Sequence, residues 1–308
     1  MRANRGSVVF EFLRNKTLYA MLLPSILFYF VLAYLPMAGM VVAFKEFRYD
    51  TGLFMSPWTG FDNFEFFFIS GKAWLITKNT LLYNTAFIIT GLSLQLLVAI
   101  IIAELGGVWA KKIIQSTLLF PFFISWVIVG IIAYNLLNYE YGFINSLLKM
   151  VGKEPLDFYG EGSYWKYIIV AFNNWKSVGF GSLIYLAVIM GIDPSLNEAA
   201  KIDGATIFQR IRHITIPLTV PTTVILVLLA VGNIFRGNFD LFYQLVGNNG
   251  ALFDATDVID TYVFRSLINS SDIGMSAAAG FFQSVLCFAI ILITNYVVKR
   301  VNSDYSLF

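Results

Sequence analysis

The fold class predicted by this sequence is an all-α polytopic membrane protein, and two observations predict it. The 308 residues are 58% hydrophobic and only 13% charged. Their mean hydropathy of +0.72 lies far above what a water-soluble domain carries. Apolar runs also recur along the whole chain, six of them near the roughly 20 residues that a helix needs to cross hydrocarbon. The net charge of +2 comes with no lysine- or arginine-rich block able to track phosphates, which sets nucleic acid aside as a partner.

The elements follow in order. Residues 1–17 carry Arg2, Arg5, Arg14 and Lys16 and read as a cytoplasmic segment. The apolar run after them, 18–44, is too long for a signal-peptide core and no small-residue cleavage site follows it, so it reads as a retained first span. Further spans are expected over 81–105, 113–137, 164–190, 217–235 and 277–298, making residues 18–298 one six-helix transmembrane domain. Six spans put both ends on one side. Lysine and arginine are denser on the side of the N-terminus, which places that side and the tail 299–308 in the cytoplasm. Asp254, Asp257, Asp260 and Asp272 then fall outside. The outer loops are long and rich in Trp, Tyr, Gly and Asn, a content that argues against disorder; they are expected to fold over the outer face.

One inner loop is substantial, residues 193–216. Asp193-Pro194-Ser195 can start a helix, because proline suits the first turn and Asp or Ser accepts its free N–H groups. Leu196, Ala199, Ala200 and Ile202 follow on small and apolar faces, and Gly204 interrupts where a bend is cheapest. A second short helix would set Ile207, Phe208, Ile211 and Ile214 on one face and Gln209, Arg210, Arg212 and His213 on the other, with Pro217 opening the next span. Such a helix–bend–helix is either a docking element for a cytoplasmic partner or an amphipathic hairpin lying on anionic membrane lipid.

The same residues resemble the cytoplasmic signature of ATP-binding-cassette importer permeases: Glu-Ala-Ala, three residues, Gly, nine residues, Ile, one residue, Leu-Pro. Here it reads Glu198-Ala199-Ala200, Gly204, Ile214 and Ile216-Pro217, with Asp203-Gly204-Ala205 inside it and Ile216 as the one departure. The resemblance implies the type I importer permease fold, with this loop seated in a groove of a separate ATPase. It implies coupling roles for Glu198, Ala199, Ala200, Asp203, Gly204, Phe208, Ile211 and Pro217. Gly204 would permit the bend where a side chain might clash, and Glu198 would offer a charge and a possible helix cap.

The chain is also similar to the carbohydrate, maltose-type class, and within it to the branch for rhamnogalacturonan, polygalacturonan and alginate oligosaccharides. Leu23-Pro24, Tyr34-Leu35-Pro36-Met37, Ala43-Phe44-Lys45, Ser56-Pro57-Trp58-Thr59-Gly60, Asn63-Phe64, Gly237-Asn238-Phe239-Asp240 and Thr261-Tyr262-Val263-Phe264-Arg265 carry that likeness; the match at 266–276 is looser. It implies a second homologous permease, two cytoplasmic ATPase subunits, an extracellular solute-binding lipoprotein and the plasma membrane of a Gram-positive bacterium. No cofactor is expected on this chain, since it has no Gly-x-x-x-x-Gly-Lys-[Ser/Thr] loop; ATP and Mg would sit on the ATPase.

Chemistry on this chain itself finds little footing. His213 is the single histidine and Cys287 the single cysteine, so a metal site, a nucleophile–base pair and an internal disulfide are all unexpected. An enzyme is therefore not expected. Polar groups inside spans tend to face a cavity. Candidates to meet substrate are Trp126, Tyr134, Asn135, Asn174, Trp175, Lys176, Tyr185, Asn233, Arg236 and Gln283, with Asn84, Gln95 and Asn173 beside them. Amides suit sugar hydroxyls, aromatics suit ring faces, and Lys176 or Arg236 would suit a sugar carboxylate. The same residues would equally glue helices or belt the interface. The leading function is a permease moving an oligosaccharide by alternating access. The alternative is an ion-coupled secondary transporter or channel for a polar solute, although Glu104 is the only acid within the spans and lies at an inner end.

Overall fold

A computed structural model describes residues 14–69, 71–269 and 272–301. Arg2, Arg5 and most of the expected terminal segments 1–17 and 299–308 lie outside the described residues. The described residues are almost wholly helical, with one isolated bridge between Lys45 and Trp58.

Helix α1, Lys16–Phe44, is 29 residues long. Pro36 lacks an N–H and crowds the preceding turn. The helix absorbs it by widening over Phe30–Tyr34, where the Leu35 N–H reaches back to Phe30 O, and then tightens over Ala38–Phe44. Only Val42 and Ala43, at its outer end, are buried. The rest presents a bare apolar surface.

The outer loop that follows folds onto the bundle. Asn63 donates to the carbonyls of Ala43 and Lys45 at 3.0 Å each, the Lys45 ammonium lies 5.0 Å from the Trp58 ring centre, and Ser56 bonds to Gly52 O at 2.7 Å. Helix α2, Asp62–Ile69, closes that cage. The residues that look typical of one branch of permeases are thus the ones that tie this loop to the end of α1.

Helix α3, Lys72–Glu104, runs for 33 residues without a proline. Next come α4, Val108–Phe123, and α5, Trp126–Leu137. The sequence reads 113–137 as one continuous helix, and the structure breaks it: α4 and α5 meet at 95°. Pro121 sits in the last turn of α4, and Ser125 caps α5 by accepting from Ile128 N. The Lys176 ammonium donates to Pro121 O (3.2 Å), Phe122 O (2.8 Å) and Ile124 O. Carbonyls freed by the break are met by a cation, as a helix C-terminus favours.

Helix α6, Trp165–Met190, packs along α3 at the centre of the molecule. It approaches α4 so closely that a Cβ on Gly179 would fall 1.8 Å from Leu118 O. Small residues allow such contact between helices in lipid. After a 70° turn comes α7, Pro194–Ile202, then α8, Ile207–Gly232. The second inner helix is therefore not a separate element ending at Pro217. It runs on into the span, because a wide turn over Ile211–Thr215, with Ile216 N–H bonded to Ile211 O, makes room for Pro217.

After α8, α9 (Phe239–Val246) packs on α5, and α10 (Ile259–Asn269) packs on α11 (Ile273–Val301). A core of Tyr83, Val129, Trp165, Leu241, Phe242 and Val258 lies beneath. Arg265 pairs with Asp257 and stacks 3.9 Å from the Phe253 ring centre. The long loops that the sequence expects on the outer face are folded among the described residues, as their aromatic content predicts. The described chain thus has four unbroken apolar helices and two bent pairs, so six spans result if each bent pair is one.

Candidate functional site

The inner loop is built by three capping devices. Asp193 accepts from Ser195 N at 2.9 Å, with Pro194 in the first turn; that N–H holds the Asp193 carboxyl below the usual carboxylate range. At the other end Ala205 N donates to Ala200 O (2.9 Å) and Gly204 N to Lys201 O (3.1 Å), the paired bonds that end a helix on a left-handed residue. Gly204 has φ +77° and nothing within 4 Å of a Cβ. The glycine is needed for backbone conformation, and within this chain no clash stands behind it. Thr206 and Gln209 then cap α8 reciprocally.

These bonds leave a ridge of apolar side chains facing outward: Ile202 is 86% exposed and Phe208 85%. Glu198, Ala199, Asp203 and Pro217 are exposed, and Ala200 and Ile211 half-buried. Asp193, not Glu198, caps α7, so Glu198 stands free on its surface. Ala200, Asp203, Gly204, Arg210, His213 and Ile214 line a hollow of about 310 Å³ between α7 and α8. The eight coupling candidates thus lie along α7, the turn after it and the first turns of α8, and Phe208 is exposed while Ile211 is half-buried. Arg210, which the sequence places on the polar flank, is buried, with Nη2 3.2 Å from Glu104 Oε2 and Nη1 3.3 Å from Asn197 Oδ1.

A second site lies within the bundle. Asn84, Gly91 and Gln95 of α3, Asn173 and Ser177 of α6, and Asn233 and Arg236 beyond α8 line a cavity of about 300 Å³. From Asn84 to Gln95 it extends ~16 Å along the helix axis, centred near the middle of α3. Amide and hydroxyl groups around a partly apolar wall can hold sugar hydroxyls, and Arg236 adds a positive end. A larger hollow, about 600 Å³, is lined by Lys78, Leu82, Ala86 and Lys166 and lies on the opposite face of α3, away from these amides.

The structure separates the other path candidates. Asn174 sits beside the cavity, donating to Thr90 Oγ1 at 2.8 Å. Gln283 braces the chain where α8 ends, donating to Phe235 O (2.8 Å) and Asp260 Oδ2 (3.0 Å). Asp260, half-buried outside the spans, has its carboxyl pushed upward by desolvation, opposed by the Gly237 N–H. Lys176 spends its three N–H donors on the α4 carbonyls and lies 5.2 Å from the Trp126 ring centre, so it has none for a carboxylate. Tyr134 meets Tyr141 edge-on and Tyr159 at a tilt, and Asn135 donates to Ile131 O. Trp175 is exposed, and Tyr185 is fully buried among inner apolar side chains. Ser177 and Gly91 line the cavity with no prior signal: a helical serine and glycine look like packing.

Comparisons with known proteins agree with this architecture. Residues 95–303 match the family described as binding-protein-dependent transport system inner membrane component. Protein LplB of Bacillus subtilis is 31% identical over 94% of this chain and 91% of that protein. The polygalacturonan/rhamnogalacturonan transport system permease protein YteP of the same organism is 28% identical over 98% of this chain and 94% of its own. A crystal structure of a bacterial alginate ABC transporter, in complex with an alginate pentasaccharide-bound periplasmic protein, superposes with a TM-score of 0.85 at 32% identity, covering 97% of this chain and 98% of that one. A helical bundle with an exposed inner loop and a polar cavity, matched in this way over nearly its whole length, belongs to the inner membrane components of binding-protein-dependent transport systems, the permease subunits of ATP-binding-cassette importers.

Proposed function

We propose that the chain is one of two homologous permeases in an ATP-driven oligosaccharide importer whose substrates include acidic, uronide-type chains. The observation that carries this reading is the inner loop: an apolar ridge, fixed by three caps, held out from the bundle. Charged and apolar groups presented so rigidly suit a protein groove, because an ordered surface loses less entropy on docking. The partner would be a cytoplasmic ATPase, in two copies, which holds ATP and Mg and closes on nucleotide. Alternating access then exposes the cavity to one side and the other.

Two relatives support the substrate class, since the names they carry refer to polygalacturonan, rhamnogalacturonan and alginate. Arg236 on the cavity wall has the right charge for a sugar carboxylate. An extracellular solute-binding lipoprotein would deliver the chain to the outer face, with residues 18–298 as the membrane domain, both termini cytoplasmic, in a Gram-positive plasma membrane. Purification of the tagged chain from native membranes in mild detergent tests the assembly. Mass spectrometry is expected to find a second permease, an ATPase and a solute-binding lipoprotein; the chain alone, or only with itself, would contradict it.

A further inference from the structure

The hollow of the inner loop and the cavity share no lining residue, and one side chain links the loop to α3, one of the helices that wall the cavity. Arg210 is 8% exposed at its side chain while Gln209, Arg212 and His213 beside it are exposed. Its guanidinium bridges Glu104, the last residue of α3, and Asn197 on α7. The loop's covalent neighbours are α6 and α8; α3 is 106 residues away in sequence from Arg210. Among the described residues this fork is the polar tie between loop and α3.

Stability alone does not explain the arrangement. The Nε–H of Arg210 is buried without a partner, and a buried, incompletely satisfied charge pair contributes little net stabilisation and is better suited to fixing position. What lies further along α3 gives the fork a use. The helix has no proline or break over its 33 residues, ~50 Å of rigid rod. Its middle supplies Asn84, Gly91 and Gln95 to the cavity. Asn84 also donates to Ile234 O at 2.9 Å and Arg236 O at 3.1 Å, holding the chain where α8 gives way to the outer loop. A shift of the loop pulls on Glu104, moves α3 along its axis, and displaces the cavity wall and the Arg236 segment together.

We propose that Arg210 and Glu104 are positioning residues that join the docking loop to α3, so that loop movement reaches the cavity through this helix. The proposal rests on the reading of the loop as the ATPase dock. It is tested in the purified complex in proteoliposomes, measuring sugar accumulated and ATP hydrolysed with the loaded binding protein. The isosteric variant Glu104→Gln is expected to keep the ATPase bound and hydrolysis within twofold of wild type, while sugar moved per ATP falls at least fivefold. Arg210→Glu should behave alike, and Glu104→Arg combined with Arg210→Glu should recover at least half of the wild-type ratio. An unchanged ratio in Glu104→Gln, or uptake and hydrolysis falling in proportion, would overturn the proposal, as would singly impaired variants that the double exchange fails to restore. Absence of an ATPase from the wild-type complex would overturn the docking reading itself, and is seen before any variant is made.

Discussion

Two cations that look alike in the sequence part company in the structure, and their variants should do so too. Lys176 gives all three donors to carbonyls at the end of α4. Lys176→Gln can satisfy at most two of them and carries no charge, so it should cost about 2 kcal/mol and lower the melting temperature in detergent, with the preference between acidic and neutral oligosaccharides unchanged. Arg236 faces the cavity. Arg236→Gln should leave melting nearly unaltered and reduce uptake of a uronide oligosaccharide about tenfold relative to a neutral one, the ~1.4 kcal/mol worth of one charge-assisted contact; equal loss of both substrates would count against this role. At Gly204, where φ is +77°, alanine costs roughly 1–2 kcal/mol of backbone strain and meets no neighbour, so uptake should survive in part. Proline cannot adopt that φ: Gly204→Pro should abolish uptake in protein that still reaches the membrane, and normal uptake would refute the need for the bend.

At the scale of elements, the close approach of α6 and α4 depends on Gly179. A methyl there overlaps the Leu118 carbonyl, and overpacking costs typically 1–3 kcal/mol or more; Gly179→Ala should lower the yield of folded protein, read by size-exclusion chromatography, whereas Gly204→Ala should not. The existence of these helices was legible because apolar runs of spanning length have few other uses. Their breaks were less so. The bend between α4 and α5 depends on Lys176, fifty residues downstream of Trp126 in sequence, and a periodicity count cannot see a distant cap. The continuity of α7's successor into the span was hidden for a different reason: Pro217 ordinarily stops a helix, and only the wide turn over Ile211–Thr215 lets α8 run through it. Caps were the most readable detail. Asp193 and Pro194 do what their residue types dictate, while the Thr206 and Gln209 box went unread although its spacing is in plain view.

For the whole molecule, the inner loop was readable as a unit because its residues are contiguous and its pattern is local. The cavity was readable only as a pool of polar residues, since which amides converge depends on how α3, α6 and α8 are rotated; Asn233, Arg236, Asn84, Gln95 and Asn173 meet, while Gln283, Lys176 and Tyr134 serve the scaffold. Arg210 and Glu104 were visible separately, and their union is a property of the fold alone. The inner loop is, in the proposed importer, the surface through which ATP hydrolysis on another chain drives transport. The most direct measurement places a cysteine at the ridge, Phe208→Cys with Cys287→Ala, in the native membrane, and identifies by mass spectrometry what a short thiol-reactive cross-linker captures with and without ATP. Expected is an adduct with an ATPase subunit whose yield changes with nucleotide. Cross-linking that finds no ATPase, in a variant that still supports uptake, would contradict it.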